Sequence, residues 1–150
     1  MLELDDFSTI HLYTEPFYFI TSNKKQPFNH QVMLADIQNR PLILPSTEGL
    51  GVYYMILEAF SKAQLHPNII AECSDISLLL DLVACQFGEA IVPKTVIKQY
   101  KNDKIQAFKI TDTEISANTG LISLKNYYLS NTAQNFTQML TGYLQENTDI

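Results

Sequence analysis

The sequence predicts an α/β layer fold with a mainly parallel sheet, and three observations carry that expectation. Short runs rich in β-branched and aromatic residues recur along the chain: PFYFITS at 16–22, LIL at 42–44, NIIAEC at 68–73 and AIV at 90–92. Between them lie segments whose apolar residues repeat every three or four positions, as one-sided helices require. Turn formers such as Pro27, Pro45, Pro67 and Pro93 are spread through the alternation. Strands alternating with helices bury their apolar faces most simply as stacked layers.

Residues 1–15 are weakly patterned. The strand at 16–22 is ended by the polar run NKKQP, a short helix is expected over 31–38, and 42–44 is a short buried strand. The clearest helix covers 50–65, where Val52, Ile56, Ala59, Phe60 and Ala63 share one face. Glu58 and Lys62 stand one turn apart on the other side. His66-Pro67 ends it, and a strand follows over 68–73. Ser74, followed by Asp75, is the expected N-cap of a second helix reaching about residue 87. That helix is apolar nearly all round (Ile76, Leu78, Leu79, Leu80, Leu82, Val83), which predicts deep burial, and Gly88 is expected to close it. A strand at 90–92, a short helix at 95–100 and strands at 105–110 and 119–124 come next. The last helix, about 132–145, places Ala133, Phe136, Leu140, Tyr143 and Leu144 on one stripe.

At 150 residues the chain is expected to be one domain with a sizeable core. A net charge of −6, with ten scattered Lys and Arg, argues against a nucleic-acid-binding face. MLELDDF carries three acids and no cationic region, unlike a secretion signal, and the longest apolar runs fall short of a membrane span. A cytoplasmic location is therefore expected. Cys73 and Cys85, in apolar surroundings and without CxxC spacing, read as buried thiols rather than a redox pair. His11, His30 and His66 are far apart, and no catalytic or phosphate-binding motif is present. No enzyme activity, cofactor or metal is expected.

The stretch PLILPSTEGLG (41–51) runs a strand straight into a hydroxyl-bearing turn before a helix, and Ser74-Asp75 repeats the arrangement. Ligands of open α/β sheets bind outside the carboxyl ends of strands. A helix start offers unpaired N–H groups and partial positive charge, which suit a small anion. Plain helix capping explains the same residues, and both readings stand.

Four stretches resemble the effector-binding domain of LysR-type transcriptional regulators: TEPFYFITS, DIQNRPLILPSTEGL, LEAFSKAQLHPNIIAECSDISLLLDLVACQFGEAIVP and NTGLISLKNYYLSNTAQNFTQML. The resemblance covers about residues 12–146. Three positions depart from the family pattern: Gln64 and Gln86 stand where glycines are usual, and Glu89 where an apolar residue is usual.

The resemblance implies a three-layer, periplasmic-binding-protein-like fold (type 2) of two lobes that enclose an effector. Residues 1–15 would then be a remnant of the first lobe or a leader. Residues 16–124 would be the second lobe, and 125–150 a return segment whose helix packs on the first lobe. Most of the first lobe and the winged helix-turn-helix are expected to be missing, so DNA would be bound only through a module absent from this chain. The family's effector contacts fall on Ser46, Thr47, Gly49, Ser74 and Ile76, and a small, carboxylate-bearing effector is expected. Glu48 reads as a helix-capping acid. A homo-oligomer is expected, with Tyr54, Phe136, Leu140 and Tyr143 as candidate interface residues. The family's peroxide-sensing branch is excluded, because its reactive cysteine would lie after the 42–44 strand, where this chain has none. A solute-binding protein or an enzyme lobe of the same fold is the alternative, and a pure interaction module is a third reading.

Overall fold

The computed structural model describes residues 6–24, 31–46, 51–100 and 102–146. In chain order the elements are β1 (Phe7–Ser22), β2 (Gln31–Val32), α1 (Leu34–Ile37), β3 (Leu42–Pro45), α2 (Val52–Lys62) and β4 (Ile69–Cys73). Then follow α3 (Ile76–Ala84), β5 (Ala90–Pro93), α4 (Lys94–Gln99), β6 (Ile105–Ile110), β7 (Ser116–Leu124) and α5 (Asn131–Glu146). Two compact units result: Glu15–Ala117, and Met1–Thr14 together with Asn118–Ile150.

In the larger unit the strands run β2-β6-β1-β5, with β1 antiparallel to both β5 and β6 and β2 parallel to β6. β3 and β4 pair in parallel, Pro45 opposite Cys73. A parallel bridge between Leu42 and Glu89 ties β3 to the start of β5: Ile43 N donates to Glu89 O at 2.7 Å, and Glu89 N donates to Pro41 O at 2.8 Å. The sheet is thus mixed, because the long strand β1 opposes its two neighbours.

The alternation along β1 divides the core between the two faces of the sheet. Phe17 and Phe19 join Leu34 and Ile37 of α1 and Ile56, Ala59 and Phe60 of α2. Ile20, facing the other way, joins Leu79, Leu80 and Val83 of α3, with Val96 and Ile97 of α4 packed alongside. Helices therefore cover both faces, giving the three layers.

Several elements differ from the sequence reading, each for a physical reason. β1 begins at Phe7 rather than residue 16, since its first half is mostly solvent-exposed and carries no alternation to read. Residues 31 and 32 form a strand on β6, which leaves only 34–37 as helix. That helix is held by the Asp112 carboxylate, which accepts from Leu34 N at 3.0 and 3.1 Å, and by Asp36, which accepts from Met33 N. The N-cap of α3 is Asp75, not Ser74: its carboxylate accepts from Leu78 N at 2.8 Å. α3 is not buried all round, for Leu78 is 52% exposed. Cys73 is buried, but Cys85, at the end of α3, is exposed. The Glu58–Lys62 pair forms on the surface of α2 at 2.7 Å.

Gly88 does not close α3; Gln86 does. Gln64 and Gln86 are the non-glycine residues with positive φ among those described, at 57° and 66°. Each sits at the same place in a helix-ending motif. Leu65 N reaches Phe60 O while Gln64 N reaches Ser61 O, and Phe87 N reaches Leu82 O while Gln86 N reaches Val83 O. These are the two turns where the family resemblance has glycine. A side chain in the left-handed region costs about 1–2 kcal/mol, partly offset by the entropy that glycine loses on folding. Gln64→Gly and Gln86→Gly should each raise stability by about 0.5–1 kcal/mol, read as a higher urea midpoint at unchanged slope.

In the smaller unit β7 pairs with β1, and Gly120 permits close approach: a Cβ there would lie 3.1 Å from Thr9 Cγ2 and 3.2 Å from Ile10 O. Thr14 Oγ1 donates to Asn118 Oδ1 at 2.6 Å, and Lys125 N donates to Asp6 O. No residue of α5 is buried. Its stripe leaves Phe136 and Tyr143 about 60% exposed, Met139 more so, and Leu140 half-buried.

Candidate functional site

The carboxyl edge of β3 and β4 is the place to which the sequence points. Because Pro45 and Cys73 are register partners, the residues that follow them, Ser46 and Ser74, leave the sheet side by side. Ser46 N donates to Cys73 O at 3.0 Å, extending the ladder by one bond. Cys73 Sγ donates to Asp75 O at 3.2 Å, which holds the second turn close against the strand end. Ser46 is half-buried and Ser74 exposed. Neither hydroxyl hydrogen-bonds to another described residue. Ile76 opens α3, half-buried against the core cluster that includes Ile43 and Cys73. Thr47, Glu48 and Gly49 lie outside the described residues, so three of the sequence-predicted positions at this edge receive no structural description.

The two helix starts differ in electrostatics. Asp75 already occupies the first turn of α3 with a carboxylate, which blunts the pull of that helix on an anion. α2 begins at Gly51, in the left-handed conformation at φ 74°, with no side-chain cap and no acid in its first turn. Its leading N–H groups are therefore the better anion donors. Among the described residues, the carboxyl edge offers two hydroxyls, one helix start without a side-chain cap and one apolar wall. Those groups can hydrogen-bond a small anion, and no nucleophile–base pair occurs among them. No group of three or more His, Cys, Asp or Glu able to hold a metal occurs among the described residues.

Two buried carboxylates escaped the sequence reading as structural elements. Glu15, 7% exposed, accepts from Thr95 N at 3.0 Å and so caps α4 from the neighbouring strand. Glu89, fully buried, accepts from Thr21 Oγ1 at 2.7 Å and from Arg40 through both Nη2 and Nε. The Arg40 guanidinium lies 5.7 Å from the Phe19 ring centroid. Its pKa is raised, chiefly by the hydrogen bond to Glu89. The departure from the family pattern at Glu89 was the available signal; Arg40, 49 residues away, carried none.

Of the candidate interface residues, Tyr54 is 60% exposed on α2, whereas Tyr53 is half-buried and meets it edge-to-face at 5.4 Å. The Tyr53 hydroxyl has a raised pKa because of burial and the Glu72 carboxylate. Phe136, Leu140 and Tyr143 are on α5, in the other unit.

Comparison with known proteins follows from this geometry. HTH-type transcriptional regulator BsdA of Bacillus subtilis (strain 168) is 30% identical over 114 residues, 75% of this chain and 39% of that protein. The uncharacterized HTH-type transcriptional regulator YybE of the same strain is 25% identical over 132 residues, 88% of this chain and 44% of that protein. The chain thus spans about two fifths of the length of these relatives. In three dimensions it is similar to the effector binding domain of QuiR in complex with shikimate (TM-score 0.82, 19% identity, 97% of this chain and 69% of that one). It is also similar to the regulatory domain of Synechocystis PCC6803 CcmR in complex with 2-PG (TM-score 0.83, 13% identity, 93% and 67%). The family model of the LysR substrate binding domain matches residues 2–145, and the protein belongs to that family.

Proposed function

We propose that the chain is the ligand-sensing part of a LysR-type regulator and takes a small carboxylate at the shared carboxyl edge of β3 and β4. The observation that carries this reading is the pair of adjacent seryl residues, Ser46 and Ser74, whose hydroxyls are not spent on capping. Thr47 and Gly49 continue the same loop in sequence, and Ile76 supplies an apolar wall. The complex of QuiR with shikimate, a small carboxylate, supports this ligand class. A second lobe would close the other side of the ligand, and the difference in affinity between open and closed arrangements would carry the signal. DNA would be engaged through a winged helix-turn-helix supplied outside these residues, and α5 would pack on the complementary lobe. Tyr54 of α2 and the Phe136, Leu140 and Tyr143 stripe of α5 would serve subunit contacts.

Thermal denaturation tests the site. At ten times its dissociation constant a ligand adds about 1.4 kcal/mol to stability. A panel of small hydroxycarboxylates should therefore contain members that raise Tm by several degrees. Ser46→Ala removes one hydrogen bond to a charged group, worth about 1.5–3 kcal/mol, and should weaken such a hit about tenfold to a hundredfold. A carboxylate that stabilises wild type and Ser46→Ala equally binds elsewhere, and the site assignment then fails.

A further inference from the structure

Resting on the Ser46–Ser74 site, we propose that this edge admits a singly charged carboxylate and turns away more highly charged anions, with Asp75 as the residue that discriminates. The position of Asp75 is fixed from both sides. Its main-chain carbonyl accepts from Cys73 Sγ at 3.2 Å, and its side chain accepts from Leu78 N at 2.8 Å. The Cys73 carbonyl accepts in turn from Ser46 N at 3.0 Å. A single residue, Cys73, thus ties Asp75 to Ser46, while Ser74 precedes Asp75 directly. The negative charge is held against the first turn of α3, beside both seryl residues.

Cations are scarce where these strands end. Residues 41–61 and 67–93, which carry β3, β4, β5 and both turns, contain no Lys, Arg or His. The same segments place Glu48, Glu72 and Asp75 in or next to the turns in sequence. β5 runs parallel to β3, so Lys94, directly after it, stands at the same end of the sheet. Its one positive charge is matched in number by Asp75. Recognition of phosphate or of paired carboxylates draws on Arg and Lys to balance the added charge. Here the donors are hydroxyls and the leading N–H groups of α2, a set that suits one carboxylate. Each further negative charge on the ligand meets Asp75 instead. At a solvent-exposed edge that repulsion weakens binding about threefold to fivefold per added charge.

Shikimate and shikimate 3-phosphate share a carboxylate and differ by a phosphate, which adds about two charges at a pH of about 8. Amide shift titrations of the full chain, read at Ser46 and Ser74, compare the two. Shikimate should saturate, and its phosphate should bind about tenfold more weakly or worse. Asp75→Asn removes the charge but keeps a cap on Leu78 N, since Asn ranks with Asp at that position. It should narrow the gap between the ligands at least about threefold with little change in the urea midpoint, whereas Asp75→Glu, which keeps the charge, should leave the gap wide. Raising NaCl from about 20 mM to about 500 mM should narrow the gap in wild type more than in Asp75→Asn. The bulk of the phosphate is the same in every variant. A gap that Asp75→Asn leaves untouched is therefore steric and overturns the proposal, as does a phosphate that binds wild type as tightly as shikimate. Equal binding of both ligands that Ser46→Ala weakens removes the charge selectivity alone. No saturable shift at Ser46 and Ser74 with either ligand up to about 50 mM removes the site itself, and the selectivity with it.

Discussion

Arg40→Met will destabilise the larger unit by about 3–5 kcal/mol, the cost of stranding a buried charge. Glu89 is wholly inaccessible, and its oxygens are satisfied by Thr21 and by two nitrogens of Arg40. Met keeps an apolar side chain at this position but supplies no donor, so the Glu89 carboxylate loses both guanidinium hydrogen bonds in a medium that solvates it poorly. The deficit should shrink in acid, where the stranded carboxylate takes up a proton. The double variant Arg40→Met/Glu89→Leu should recover most of the loss, because replacing both members of a buried pair by apolar groups is often neutral. Urea unfolding of wild type, Arg40→Met and the double variant reads both effects. A double variant no better than Arg40→Met would show that the pair holds the junction of β3, β5 and β1 in some way other than by charge compensation.

Gly88→Ala will cost about 1–3 kcal/mol by overpacking. A Cβ there would stand 2.6 Å from Ile43 Cγ1, 2.9 Å from Ile43 Cδ1 and 3.1 Å from Pro41 O. Ile43 is fully buried in β3 and β-branched, so it has little rotamer freedom with which to move aside. The backbone cannot separate either, since Glu89 N and Ile43 N are bonded across the same junction. In a double-mutant cycle, Gly88→Ala combined with Ile43→Ala should be less destabilising than the sum of the two single changes, because the second removes the atoms that the first collides with. Strict additivity, measured by denaturant midpoints, would contradict that contact.

Much of this arrangement was legible in the residues. The apolar periodicity of α2, the alternation of strand and helix, and the i,i+4 pair Glu58–Lys62 each act over a few neighbouring positions, and local rules capture them. The first half of β1 was not legible. Residues 7–14 are mostly exposed, so no one-sided pattern marks them as a strand; their state is set by pairing with β7, more than 100 residues away. The N-cap of α3 shifted by one residue because Ser74 and Asp75 are both good caps, and only the backbone decides which of them is extended at the first turn. Gln64 and Gln86 show the converse. Their positions demand left-handed backbone that their own chemistry does not favour, and the family pattern, not the residue type, pointed to it. At the candidate site the pairing of Ser46 with the β4 edge follows from parallel register. Register is a long-range property that the two separate turns did not declare.

The central claim is that the turns after β3 and β4 form one anion-recognising edge. Amide chemical-shift mapping of the chain with a stabilising hydroxycarboxylate tests it most directly, since weak binding is still resolved residue by residue. Saturable shifts should cluster at Ser46, Ser74, Ile76 and the first turn of α2, with Ile105 and Ala107 unmoved. Shifts confined to other parts of the sheet, with Ser46 and Ser74 silent, would contradict it.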